Sequence, residues 1–154
     1  MKLAKALALR ADSRRRVEQL RARIAANAQY QEGTEPAEDA GALLTEADGL
    51  IDQLEVLIRR INRTNSATDL GGDGTMTDAL ARRDALRLRH AVLINSADAA
   101  AVQGGGYRQL RSELRQLTAL PVTELRQRAD QVAREIRELD GRIQQANWTV
   151  ELLD

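Results

Sequence analysis

The sequence predicts an all-α protein, a bundle of long antiparallel helices in one domain spanning residues 1–154. Three observations lead there. Apolar residues are 43% of the chain while aromatics are 2% and Phe is absent, so the core must be built from Ala, Leu, Ile and Val. That composition, with little aromatic or β-branched bias, favours helices over a sheet. Only two prolines punctuate the chain. Near the C-terminal end, Leu125, Ala129, Val132, Ile136, Leu139, Ile143, Ala146, Val150 and Leu153 recur at alternating spacings of four and three. This rhythm lays one apolar seam along a helix, the pattern by which helices pack lengthwise and form coiled coils.

The first helix is expected over about residues 2–28, with Leu3, Ala6, Val17, Leu20 and Ile24 on one side and polar Arg10 and Ser13 interrupting the row. The run from Gln31 to Pro36 breaks it, and Pro36 suits a helix start. The second helix, about residues 37–65, carries Leu43, Ala47, Leu50, Leu54, Leu57 and Ile61. A flanking row of Leu44, Ile51 and Ile58 makes it apolar over a wide arc. After Gly71-Gly72-Asp73-Gly74, Thr75 or Thr77 can cap a third helix over about 75–103, with Ala79, Leu86, Leu93 and Ala100 beside Leu88 and Val92. Gly104-Gly105-Gly106 stops it. Residues 107–122 read two ways: Leu110, Leu114 and Leu117 fit a short helix, while the glycines and Pro121 frame an extended or β-hairpin excursion. Thr123 then caps a fourth helix over about 123–153. At about 1.5 Å per residue it is roughly 45 Å long.

Charge is unevenly spread. Residues 1–29 hold eight bases against two acids, a net +6, and residues 32–60 hold eight acids against two bases, a net −6. Opposite charge on consecutive helices of similar length predicts an antiparallel hairpin. Exposed pairs contribute only about 0–1 kcal/mol each, so they set register, while burial of Leu and Ile at about 1.5–3 kcal/mol per side chain supplies stability.

Several functions are disfavoured. Bases and acids balance at 23 each, so no global field draws nucleic acid, and Arg14-Arg15-Arg16 reads as a solvated face. Cysteine is absent, which removes disulfides and thiolate chemistry. No apolar run approaches the roughly 20 residues of a transmembrane segment. Charges from Arg10 to Arg16 interrupt the start of the chain, no secretory signal is expected, and the compartment expected is the cytoplasm. His90, the single histidine, has Arg87 three residues before it and lies on the seam, so it reads as a core residue rather than a metal ligand. Asp69 and Asp73 fall short of a calcium loop, and no phosphate-binding or dinucleotide fingerprint occurs. No cofactor is implied.

One constellation stands out. Asn62, Arg63 and Asn65 end the second helix, and Asp78, Arg82 and Asp84 open the third across a single loop. Read functionally, they form a pocket for a small anion at a helix N-terminus. Read structurally, they form a capping and salt-bridge network, with Thr75 and Asp78 as a capping box. Continuing the seam past Ile61 brings Thr64 and Asn65 onto the core side. Asn147 and Trp148 end the fourth helix; Trp148 lies off the seam on a stripe with Gly141 and Leu152, which suits a second packing surface as well as internal packing.

Gln31-Glu32-Gly33, Glu35-Pro36-Ala37-Glu38-Asp39, Ile61-Asn62-Arg63-Thr64-Asn65, Thr77 to Asp84, Asn147-Trp148-Thr149 and Glu151-Leu152 together resemble a family of small bacterial helical proteins labelled septicolysin. The resemblance covers nearly the whole chain and implies a mostly helical, self-associating protein without an assigned reaction. It also implies a more β-like stretch at 107–122. The leading functional expectation is a structural or interaction protein acting as a homo-oligomer. The alternative is a small-molecule or anion-binding protein, conceivably an enzyme, at the polar junction. A remoter one is a membrane-active lysin using the basic first helix.

Overall fold

A computed structural model describes residues 1–101, 114 and 116–154. It contains four long helices: α1 (Leu3–Asn27), α2 (Ala40–Ala67), α3 (Met76–Ala100) and α4 (Val122–Thr149). A short 3-10 turn, Gly71–Asp73, precedes α3. No strand occurs among the described residues; extended backbone forms only the isolated bridges Lys2↔Glu151 and Asp69↔Thr75. The fold is an all-α bundle. Most of the proposed 107–122 excursion lies outside the described residues, and 116–121 are neither helix nor strand.

α1 packs antiparallel on α2, and α3 packs antiparallel on α4. The two hairpins touch each other over far less surface. They meet where α1 and α3 begin and α2 and α4 end. There Leu3, Ala6, Ile61, Met76, Ala79, Leu139, Ile143 and Leu152 share one core, which continues between α3 and α4 through Leu86, Leu93, Ala97, Leu125 and Ala129. The outer part of the α1–α2 hairpin has only a satellite cluster of Leu20, Leu43 and Ala47, with half-buried Ile24 and Leu50 against it. An isolated helix pair has no third element to cover its remaining faces.

Helix ends follow local chemistry. α2 starts at Ala40, not beside Pro36, because the Asp39 carboxylate accepts from Gly41 N at 2.9 Å and Ala42 N at 3.1 Å. α4 starts at Val122 with Pro121 in the cap position, so Thr123 lies inside the first turn rather than capping it. α4 stops at Thr149. Residues 150–152 run extended beside the chain start, with Leu3 N donating to Val150 O at 2.9 Å and Leu152 N to Met1 O at 2.7 Å. Extended backbone alternates faces, so Leu152 is buried and Leu153 is 46% exposed.

Candidate functional site

The polar junction lies where the two hairpins join. The loop from Thr68 to Thr75 folds tightly: Thr68 N and Oγ1 both donate to Thr64 O, at 2.9 and 2.7 Å, and Met76 N donates to Thr68 O at 2.8 Å. Gly74 adopts φ +77°, where only glycine is unstrained, and a Cβ there would lie 2.8 Å from Asp78 Oδ2. Thr75 caps α3 through a reciprocal box: Asp78 N donates to Thr75 Oγ1 at 3.2 Å, and Thr75 N donates to Asp78 Oδ2 at 2.8 Å. The Thr75 hydroxyl, and then its amide, hold the Asp78 carboxyl below its ordinary range.

Two charge clusters flank this loop. In the first, the Asp73 side chain is only 7% exposed. It accepts from Arg82 Nη1 at 3.0 Å and Arg142 Nη2 at 3.1 Å, with Arg142 Nε also donating to it. Hydrogen bonding to Arg142 holds Asp73 below the usual carboxylate range and outweighs desolvation, while Asp73 raises Arg142 in return. Arg82 also faces Glu135 at 3.8 Å. In the second cluster the end of α2 holds the last residues. Arg60 Nε donates to Leu153 O at 2.9 Å and Arg60 Nη2 to Asp154 Oδ1 at 2.7 Å, while Arg63 Nη1 donates to Asp154 O at 3.0 Å. Buried Thr64 accepts from Leu153 N at 3.0 Å. At the chain start, Glu151 pairs with the Met1 amino group at 2.8 Å and Lys2 Nζ at 2.9 Å, which lowers its pKa to about 2.

The six nominated residues sit on the helices either side of this loop, yet among the described residues no side chain of the six is hydrogen-bonded to the side chain of another. Arg63 serves Asp154, Asp78 serves Thr75, Arg82 serves Asp73, and Asp84 lies 3.4 Å from adjacent Arg83. Asn62 is exposed and Asn65 half-buried. Two surface hollows lie on the α1–α2 arm instead. One of about 370 Å³ is lined by Asp12, Arg15, Arg16, Arg23 and Glu46, and its guanidinium groups already face carboxylates. Sequence reading weighed Asp73 only as a calcium-loop acid and Glu151 only within a family motif, and it gave Arg60 and Arg142 no place in the site. Asp73 carried the only available hint, as an acid enclosed by glycines, but Arg142 lies 69 residues away.

At the α4 end, Asn147 is buried at 8% exposure while Trp148 is 69% exposed. A Cβ on Gly141 would meet nothing within 4 Å, so Trp148 and Gly141 lie on open surface, whereas Leu152, past the helix end, is buried. No helix among the described residues is long and apolar enough to cross a membrane.

Residues 10–152 match the model of a family of unknown function, DUF6847. The chain belongs to this family. It is also similar to a solved structure described as that of a functionally unknown conserved protein from Corynebacterium diphtheriae, at 39% identity and a TM-score of 0.90, covering 99% of each chain. No curated protein matches. The septicolysin label has no support in these matches, which indicate a bacterial helical fold and no specific activity.

Proposed function

We propose that this protein is a structural or interaction module that acts as a homo-oligomer. The supporting observation is the apolar surface left outside both hairpins. Leu44, Ile51 and Val56 on α2 are 52%, 46% and 57% exposed, Leu88 and Val92 on α3 are 69% and 55%, and Trp148 on α4 is 69%. Isolated exposed apolar residues are ordinary, but rows along exposed helix faces mark association surfaces. The alternative, small-anion binding at Arg63 and Arg82, draws less support: both guanidinium groups are already engaged with oxygen atoms of the chain. Solution mass by light scattering across a concentration series tests the reading. A mass at or above twice 17.0 kDa is expected, and a monomer at every concentration would refute it.

A further inference from the structure

The α1–α2 hairpin closes its charges along one edge only. Arg16 pairs with Glu46 and Arg23 with Glu38, both across the helix boundary. Lys5, Arg10 and Arg14 on α1 and Asp48 and Asp52 on α2 form no ion pair among the described residues. Helical periodicity puts Arg10, Arg14 and Asp48 on one side, with Asp52 beside Asp48, while Lys5 falls with Arg16 and Arg23. On α1, Leu7, Arg10, Arg14, Val17 and Arg21 follow one another at spacings of three and four. They flank the buried row on the side away from Arg16 and Arg23, half-buried at Leu7, Arg10 and Val17 and exposed at Arg14 and Arg21. On α2, Leu44, Asp48, Ile51, Glu55 and Ile58 do the same on the far side from Glu46. The exposed parts of both stripes, Arg14 and Arg21 on α1 and Leu44, Asp48, Ile51 and Glu55 on α2, therefore lie on one face of the hairpin, basic along α1 and acidic with apolar teeth along α2.

Resting on the self-association reading above, we infer that a second copy of this chain docks on this face, α1 over the partner's α2, about a two-fold axis parallel to the helices. The register follows from the observed pairs. Arg16 is level with Glu46, so two residues back along α1 and two on along α2 bring Arg14 level with Asp48. Six residues bring Arg10 level with Asp52. A two-fold along the helix direction keeps these levels, so Arg14 meets the partner's Asp48 and Arg10 approaches the partner's Asp52. The Leu44 and Ile51 rows are then covered by the aliphatic stems of the arginines. Each α1 runs antiparallel to both α2 helices, completing a four-helix bundle around the thin satellite core of Leu20, Leu43 and Ala47. The contact is isologous and closes as a dimer.

Sedimentation equilibrium on the full chain and surface variants tests this, with circular dichroism confirming that the exposed substitutions leave the helices intact. Asp48→Arg alone and Arg14→Asp alone should each weaken the dimer about tenfold or more by juxtaposing like charges. Arg14→Asp and Asp48→Arg combined in one chain should restore the dissociation constant to within about threefold of the original. Arg89→Glu, an exposed charge reversal on α3, should leave association unchanged. If the α3 variant dissolves the dimer, or the charge reversals leave it unaffected, the docking face is wrong although self-association stands. If the unaltered chain is monomeric, both the face and the self-association reading fall.

Discussion

A single hydroxyl ties two segments together at the junction. Thr64 Oγ1 donates to Arg60 O at 2.8 Å and accepts from Leu153 N at 3.0 Å, so the end of α2 holds the extended residues that follow α4. Thr64→Val should cost about 1–2 kcal/mol in urea denaturation, because the Leu153 amide loses its acceptor without regaining water. An unchanged midpoint would show that this segment is not held there. Gly74→Ala should cost about 1–3 kcal/mol, from the left-handed φ and the encroachment on Asp78. The carboxylates at the junction also set the acid limb. Glu151, Asp73 and Asp78 all have folded-state pKa values below their ordinary ones. Their contribution is thus present above the unfolded value of 4.5 for Glu151 and is lost as pH falls towards about 2. Urea midpoints between about pH 6 and about pH 2 should fall on acidification, less steeply in Glu151→Gln; parallel curves would contradict the linkage. At this scale the sequence was partly legible. Thr64 could be placed on the core side because it continues the Ile61 row. The Asp73–Arg142 contact could not, since helical spacing carries no information about side chains 69 residues apart.

The helices themselves were the most legible level, because a seam at spacings of three and four specifies both a helix and its buried face. Their ends were less so. Capping is decided by a few local hydrogen bonds, as at Asp39, and by tertiary pairing, as where residues 150–152 leave α4 to run beside Met1 to Leu3. Asp39→Ala should lower stability by about 1 kcal/mol through the lost cap, read from the same denaturation curves. The opposite charges of α1 and α2 correspond to cross-helix pairs at Arg16–Glu46 and Arg23–Glu38, both at largely exposed side chains. Such pairs guide register while the apolar row carries the stability. Far-ultraviolet circular dichroism in about 1 M NaCl should therefore retain most of the helical signal. Loss of most of it would assign the stability to charge instead.

Across the whole molecule, one well-covered hairpin joins a thinly covered one at a polar clasp, and apolar rows remain uncovered on both. Sequence periodicity revealed the flanking row Leu44, Ile51 and Ile58. It could not say that α3 and α4 would pack on each other and leave that row open, because seam spacing does not choose among partner helices. At the clasp between the hairpins Arg60, Arg63, Arg82 and Arg142 are engaged with oxygen atoms of the chain. The account therefore turns on whether the α1–α2 face is covered by a second copy. The chain has no cysteine, so a reporter thiol has no background. Arg14→Cys in one chain and Asp48→Cys in another can be mixed and treated with a short bis-maleimide. The account predicts covalent dimers in the mixture and none in either variant alone. No cross-linking in the mixture, at concentrations where the chain self-associates, would contradict it.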